Sequence, residues 1–164
     1  MKDQKQNKIY GLIGKNINYS FSKKFFNNKF EKERIKAVYT NFDIQKIEDF
    51  KNVVNKFNIC GLNVTIPYKE SIINQLDYIN PIAKEIGAVN TIKFQNNILS
   101  GYNTDYLGFY KSIENLIKPN TKALILGTGG ASKAIAYALK ILKVRYVFVS
   151  CLLYTSPSPR DCRL

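Results

Sequence analysis

The chain has 164 residues, of which 25 are Lys or Arg and 12 are Asp or Glu, so its formal net charge is +13. Its 45% hydrophobic and 23% charged residues are typical of a folded globular protein and exclude an intrinsically disordered chain. No run of roughly 18 apolar residues is present, which excludes a membrane-spanning helix, and the absence of histidine leaves any acid–base chemistry to Lys, Tyr, Asp, Glu or Cys.

The excess of basic residues raises the question of whether the chain binds nucleic acid. Lysines far outnumber arginines, and arginine is the better residue for base and bidentate phosphate recognition. We therefore expect a solvated basic surface without a nucleic-acid partner; the alternative is a surface that attracts anionic metabolites or cofactors.

The odd count of Cys60, Cys151 and Cys162 argues against a disulfide framework or a zinc site. The polar residues 1–10 do not form a secretory signal, so a reducing, cytoplasmic setting is expected.

Apolar runs alternate with helical patterns, which is typical of an α/β protein. Residues 9–14 predict a buried strand that ends on glycine, and residues 22–30 predict a helix with Ser22 as its cap. The next predicted elements are a strand, an amphipathic helix and a strand, at residues 38–42, 44–57 and 61–65.

The pattern continues after Pro67 with shorter elements. Residues 69–78 predict a helix that Asn80-Pro81 breaks, and a short turn then leads to a strand at 89–94. Asn96-Asn97 is a hairpin signal, so residues 98–102 are expected to return antiparallel. A helix is predicted at 105–117.

The composition changes after Pro119-Asn120, which we predict to be a domain boundary. Residues 123–126 predict a short strand that enters a glycine-rich loop, followed by a small-residue helix over 131–142 and another strand over 144–149. One β-α-β unit of this kind opens a Rossmann dinucleotide-binding domain. The predicted fold class is therefore α/β.

The last residues, 151–164, do not continue this pattern. Ser156-Pro-Ser-Pro159 fits neither a helix nor a central strand. One back-translation of the segment from Cys151 resembles a transposase-type sequencing adapter. We therefore expect 151–164 to be a non-native tail on a truncated polypeptide with little or no turnover; a natural flexible tail is the alternative.

The glycine-rich loop from Gly127 to Ala131 lies between a strand and a helix. In that context the backbone N–H groups and the helix N-terminus can hold a pyrophosphate. Gly127 would allow the tight turn and Gly129 the close approach of phosphate, with the small Ser132 at the packing position. A plain structural turn is the alternative.

Two segments offer acid–base chemistry without histidine. The end of the third strand delivers Asn63 and Thr65, whose polar groups can bond substrate hydroxyls, and the turn after Pro67 presents Lys69. A lysine beside a carboxylate can donate and accept a proton, and Asp105 would supply that carboxylate. Considered individually, Lys69 is equally consistent with an ordinary surface lysine, and Asp105 is equally consistent with a helix N-cap.

Four motifs then occur in one order along the chain. They are Gly61-Leu-Asn-Val-Thr-Ile-Pro-Tyr-Lys69, Gly87-Ala-Val-Asn-Thr91, Gly101-Tyr-Asn-Thr-Asp-Tyr-Leu-Gly-Phe109 and Leu126-Gly-Thr-Gly-Gly-Ala-Ser132. In order and spacing they resemble the shikimate dehydrogenase family, over roughly residues 8–150. The resemblance implies an NADP-dependent, reversible reduction of 3-dehydroshikimate to shikimate in the pathway to chorismate and the aromatic amino acids.

The resemblance also implies roles for individual residues. Lys69 and Asp105 resemble the catalytic pair, in which Lys69 protonates the oxygen as hydride reaches the carbonyl carbon, while Asp105 holds Lys69 and bonds the reacting hydroxyl. The other substrate-binding residues implied are Ser20 and Ser22 for the carboxylate, and Thr65 and Asn90 for hydroxyls. The implied cofactor-diphosphate loop is Gly127, Thr128, Gly129, Gly130 and Ala131, and no metal is expected.

The chain departs from the family pattern in two places. Tyr19-Ser-Phe-Ser-Lys23 stands where the family often has His-Ser-x-Ser-Pro. The loop that would recognise the NADP phosphate should begin near position 151, where Cys151 stands. The alternatives are a quinate/shikimate dehydrogenase that uses NAD, and a non-catalytic basic module that binds a nucleotide or nucleic acid.

These observations predict a domain organisation with the active cleft between two domains. Residues 1–105 are predicted to form the substrate-binding and catalytic domain, and residues 106–119 a linking helix. Residues 120–150 are predicted to begin an NADP-binding Rossmann domain, and 151–164 to form the tail. The expected partner is a small-molecule substrate, with no nucleic acid and no membrane, and the oligomeric state is left open.

Overall fold

A computed structural model describes residues 8–150 of the chain. The predicted tail, with Cys151 and Cys162, therefore lies outside the described residues. No helix within residues 8–150 is long and apolar enough to cross a membrane. Within the same residues the chain forms two sheets, one of six strands and one of two.

The larger sheet is mixed, with strand order β2-β1-β3-β5-β6-β4. Its strands are β1 Lys8–Gly14, β2 Ala37–Asp43, β3 Ile59–Val64, β4 Tyr78–Ile79, β5 Thr91–Gln95 and β6 Ile98–Tyr102. The pairs β1–β2, β1–β3 and β4–β6 are parallel, whereas β3–β5 and β5–β6 are antiparallel. The carboxyl ends of β1, β3 and β6 and the amino end of β5 therefore share one edge of the sheet.

Helices and short 3₁₀ turns connect the strands. The helices of this part are α1 Ser22–Lys32, α2 Phe50–Lys56, α3 Pro81–Ile86 and α4 Asp105–Ile113, with 3₁₀ turns at Ile47–Asp49 and Ser71–Gln75. Side chains on one sheet face pack with α2 and the second 3₁₀ turn into a core in which Ile13, Phe50 and Ile72 are fully buried. A smaller cluster under α1 contains Leu12, Ile17 and Tyr39.

One predicted helix is shorter in the structure and another is replaced by a 3₁₀ turn, because tertiary contacts hold part of each segment elsewhere. The helix predicted from residue 44 begins only after a 3₁₀ turn, since the Ile44 N–H donates to the Gly14 carbonyl at 3.0 Å and Ile44 extends the edge of the sheet. The prediction of a helix at 69–78 was wrong. The Lys69 carbonyl accepts from Val89 N–H at 2.7 Å, and the segment ends in β4, so only a 3₁₀ turn forms.

Asn80-Pro81 starts a helix, whereas the sequence was interpreted as a break followed by a short turn. The Asn80 side chain accepts from the Ile82 N–H at 3.0 Å, Pro81 occupies the first helical turn, and Gly87 ends the helix at φ 72°. The hairpin prediction is confirmed: Asn96 and Asn97 both have positive φ and join the antiparallel strands β5 and β6.

Ser22 does not cap α1, because Phe21 is the N-cap residue and Ser22 is already helical. The Ser22 N–H instead donates to Ser20 Oγ at 3.3 Å. The helix predicted at 105–117 ends at Ile113, after which a tighter turn forms, with the Leu116 N–H bonded to the Ile113 carbonyl.

The second unit is the β-α-β motif expected from the sequence. Its elements are β7 Lys122–Leu126, α5 Gly130–Ile141 and β8 Arg145–Val149, with β7 and β8 parallel. Ile125, Leu139 and Val144 form its core, against which Phe109 and Ile113 of α4 pack. Because α4 follows β6 directly and packs on this unit, it joins the large sheet to the glycine-rich loop.

Candidate active site

A lysine–aspartate pair lies at the shared edge of the large sheet. Lys69 lies in the turn between β3 and the following 3₁₀ turn, and Asp105 is the first residue of α4. Lys69 Nζ donates to Asp105 Oδ2 at 2.6 Å, and the two side chains are 19% and 33% exposed. The pair is thus fixed by a charge-assisted hydrogen bond while one side stays open to a ligand.

Asn90 holds the other oxygen of the Asp105 carboxylate. Its Nδ2 donates to Asp105 Oδ1 at 2.7 Å and to Thr104 Oγ1 at 2.9 Å. Its Oδ1 accepts from the Thr104 N–H at 2.8 Å and from the Thr91 hydroxyl at 3.1 Å. Asn90 is only 8% exposed, so this network fixes one oxygen of the Asp105 carboxylate, while the other oxygen pairs with Lys69.

Asn103, not Asp105, provides the side-chain cap for α4. The Asn103 Oδ1 accepts from the Asp105 N–H at 3.0 Å and the Tyr106 N–H at 3.3 Å, and its Nδ2 donates to the buried carbonyl of Ala88 at 3.0 Å. The Asp105 carboxylate is therefore not used as a helix cap and is free to pair with Lys69. The sequence analysis missed these roles of Asn103 and Thr104, although an Asn two residues before a helical Asp was a usable capping signal.

Ser20 and Ser22 lie after the carboxyl end of β1, at the same sheet edge. The Ser20 N–H donates to the Ile17 carbonyl at 3.0 Å. The loop is anchored by the Asp43 carboxylate, which accepts from the N–H groups of Asn16 at 3.0 Å and Ile17 at 3.1 Å. Because Ser20 Oγ accepts a backbone N–H, its hydroxyl hydrogen is available for an anionic ligand.

The end of β3 supplies Thr65 and Asn63, as expected. The Thr65 N–H donates to the Ile13 carbonyl at 2.9 Å, so Thr65 lies beside the end of β1. Asn63 is already engaged, because its Oδ1 accepts from the Tyr39 hydroxyl at 2.9 Å. Burial raises the pKa of the Tyr39 phenol, which therefore remains a neutral donor at ordinary pH.

The glycine-rich loop faces the lysine across a cleft of about 380 Å³. Gly127 has φ 105°, and α5 begins at Gly130, so the free N–H groups of its first turn point out of the helix end. A Cβ on Gly129 would meet nothing within 4 Å, whereas one on Gly130 would stand 2.9 Å from Lys69 Cβ. The loop therefore has open space for phosphate beside Gly129 and direct packing on the lysine turn at Gly130.

No cluster of His, Cys, Asp and Glu in the part of the chain that the structure describes has a metal-binding arrangement. The site thus consists of a lysine–aspartate pair, hydroxyl and amide side chains at one sheet edge, and a glycine-rich helix start across a cleft.

Comparisons with known proteins give matches in sequence and in fold. Residues 12–92 match the family described as shikimate dehydrogenase substrate binding domain. A shikimate dehydrogenase (NADP(+)) of Clostridium botulinum is 48% identical over 158 residues, which cover 94% of this chain and 59% of that relative. The chain contains the substrate-binding domain of the shikimate dehydrogenase family at residues 12–92. It spans about three fifths of the length of these curated shikimate dehydrogenases.

Solved shikimate dehydrogenases share the fold. The crystal structure of the Aquifex aeolicus shikimate dehydrogenase aligns with a TM-score of 0.79 at 42% identity, over 88% of this chain and 56% of that one. The Thermus thermophilus enzyme in complex with NADP(H) and shikimate aligns with a TM-score of 0.79 at 28% identity, over the same shares. The chain is thus homologous to NADP-dependent shikimate dehydrogenases.

Proposed function

We propose that the chain carries the substrate-binding and catalytic part of a shikimate dehydrogenase, which reduces 3-dehydroshikimate to shikimate reversibly with NADPH. The observation that carries the proposal is the Lys69–Asp105 pair, 2.6 Å apart and partly exposed, whose lysine lines one cleft together with the glycine-rich loop. The predicted domains, residues 1–105 and 120–150 joined by 106–119, and the cytoplasmic setting belong to the same proposal.

Lys69 is the proton donor and acceptor of the proposed reaction. One N–H of its ammonium is used by Asp105, and the other two can reach a ligand oxygen. In the reducing direction Lys69 gives a proton to the carbonyl oxygen as the carbon gains hydride. In reverse, neutral Lys69 takes the hydroxyl proton. Asp105 keeps Nζ in place in both directions, since Asn90 fixes its second oxygen.

The other side chains orient the substrate. The hydroxyl hydrogens of Ser20 and Ser22 would bind its carboxylate, and Thr65 would bind a ring hydroxyl. Both polar atoms of the Asn90 amide are bonded within the protein. Asn90 is therefore assigned two roles together, a contact with a substrate hydroxyl and the support of Asp105.

The loop from Gly127 to Ala131 fits a dinucleotide diphosphate. The positive φ of Gly127, the open space at Gly129 and the start of α5 are the features that such a group requires. NADP(H), when bound, supplies or accepts the hydride.

Binding and turnover are tested separately. Titration of the chain with shikimate, followed by calorimetry, should show saturable binding that Thr65→Val and Ser20→Ala each weaken. In a mixture with NADP⁺, followed by nicotinamide absorbance, Lys69→Met should lower any turnover by about 10²–10⁴-fold. Lys51→Met, on the exposed face of α2, is the matched control. Absence of shikimate binding, or equal binding of quinate, would contradict the proposed substrate.

A further inference from the structure

Two ion pairs join α5 to the first unit. Lys133 pairs with Glu70, which we call the inner pair, and Lys140 pairs with Glu85 at 2.8 Å, which we call the outer pair. The two lysines are seven residues apart and therefore lie on one face of α5, two turns from each other. That face is directed at the segments that carry Lys69 and α3.

The inner pair is close to the proposed chemistry, whereas the outer pair is not. Glu70 is the neighbour of Lys69 in the turn, and Lys133 lies in the first turn of α5 beside the glycine-rich loop. The side chains of Lys133 and Glu70 in the inner pair are 40% and 42% exposed, against 66% and 51% for those of the outer pair. The inner pair therefore joins the lysine turn to the cofactor-loop helix at the point where they meet.

Close packing at Gly130 accompanies the inner pair. A Cβ at Gly130 would stand 2.9 Å from Lys69 Cβ and 3.1 Å from Ala88 Cβ, so the helix start rests directly on the lysine turn. On its other side this turn is held by the hydrogen bond from the Val89 N–H to the Lys69 carbonyl, at 2.7 Å. Lys69 thus has little room to move independently of α5.

The two adjacent charged residues of the turn, Lys69 and Glu70, form ion pairs with different partners. Lys69 pairs with Asp105, and the adjacent Glu70 pairs with Lys133. The first pair connects the turn to α4, and the second connects it to α5. The turn that carries Lys69 is therefore in direct contact with α5 through both the inner pair and Gly130.

We propose that Glu70 and Lys133 are positioning residues, which hold the Lys69 turn against the glycine-rich loop and so couple cofactor binding to the placement of Lys69. Neither residue touches the reacting atoms. The inference rests on the proposed function for the identity of the ligands, but the contact itself is independent of them. A partly exposed ion pair contributes up to about 1 kcal/mol, which sets a limit of about fivefold on the coupling it carries.

The test compares Lys133→Met, Lys133→Arg and Lys140→Met in the full chain. Addition of NADP⁺ to the wild-type protein should shift the amide NMR signals of the loop and also those of Lys69 and Asp105, and it should tighten shikimate binding by up to about fivefold. Lys133→Met should keep the loop shifts but lose those of Lys69 and Asp105 together with the tightening. Lys133→Arg should restore both, and Lys140→Met should behave as wild type.

A measurement without ligands separates this inference from the proposed function. Amide hydrogen exchange at Val89, whose N–H bonds the Lys69 carbonyl, should accelerate about two- to fivefold in Lys133→Met and in Glu70→Gln, and not in Lys140→Met. If the wild type does not respond to NADP⁺, the proposed function fails and exchange alone decides the inference. Unchanged exchange in both inner-pair variants, or equal acceleration in Lys140→Met, would overturn it.

Discussion

Replacement of Asn90 by alanine should destabilise the chain strongly, because the amide of this residue connects the start of β5 to the start of α4 at the candidate site. Its amide bonds the Asp105 carboxylate at 2.7 Å and the Thr104 N–H at 2.8 Å, and it also contacts the hydroxyls of Thr91 and Thr104. At 8% exposure the amide is shielded from water. Alanine removes all of these bonds and leaves their partners facing a small cavity.

The expected loss follows from the two strongest bonds. A hydrogen bond to a charged carboxylate contributes about 1.5–3 kcal/mol, and a buried donor left unpaired costs about 1–3 kcal/mol. Asp105 is 33% exposed, so water can replace part of the lost bond. We therefore take the lower part of the sum and expect a loss of about 2.5–4 kcal/mol in the free energy of unfolding.

Urea unfolding followed by circular dichroism measures this loss directly. Asn55→Ala is the matched control, since Asn55 is exposed in α2 and should change stability by less than about 0.5 kcal/mol. Asn90→Asp adds a second test: a carboxylate 2.7 Å from Asp105 Oδ1 should destabilise at neutral pH, and stability should recover as the pH falls toward about 4, because one of the two adjacent carboxyls takes up a proton. A loss below about 1 kcal/mol for Asn90→Ala would refute the assigned network.

Three further changes test the packing and the electrostatics. Gly130→Ala should destabilise the chain by about 1–3 kcal/mol, because the new Cβ meets Lys69 Cβ at 2.9 Å. Gly108→Ala should instead stabilise it by up to about 1 kcal/mol, because Gly108 lies in α4 with open space around it. Thermal unfolding of the two variants measures both changes. Phe50→Ala should lose about 3–5 kcal/mol in urea unfolding, since this side chain is fully buried, and a smaller loss than about 2 kcal/mol would contradict the assigned core. Burial raises the pKa of Tyr39, so the unfolded chain releases its phenolic proton first above about pH 10, and stability should fall there by up to about 1.4 kcal/mol per pH unit. Tyr39→Phe should remove the part of this pH dependence that is due to Tyr39. If the free energy of unfolding falls equally with pH in the two proteins, the reasoning is wrong.

Most of the strands and the hairpin were predictable from the sequence, because their signals are local. Apolar runs define β1, β3 and β7, and two consecutive asparagines suit the positive φ that a tight hairpin requires. The β-α-β unit was equally readable, since a strand, a glycine-rich turn and a small-residue helix follow each other without interruption. Residue order and side-chain type suffice for such elements.

The lengths of the helices depended on contacts that periodicity does not report. Ile44 has the spacing of a helical residue, but its N–H is bonded to the end of β1. The segment after Lys69 is likewise apolar at helical intervals, but β4 draws its end into the sheet beside β6. In both cases a hydrogen bond from a distant strand outweighs a helix propensity worth a few tenths of a kcal/mol per residue.

At the candidate site, the sequence by itself determined the residue types and their order, including a lysine after a strand, an aspartate at a helix start and glycines before another helix. Only the tertiary structure decided that Lys69 pairs with Asp105, 36 residues away, and that Glu70 pairs with Lys133, 63 residues away. It also decided that Asn103 caps α4 and leaves the Asp105 carboxylate free. The physical reason is that motifs record local backbone requirements, while ion pairs and shared hydrogen bonds depend on where the sheet edge and α5 bring distant segments together.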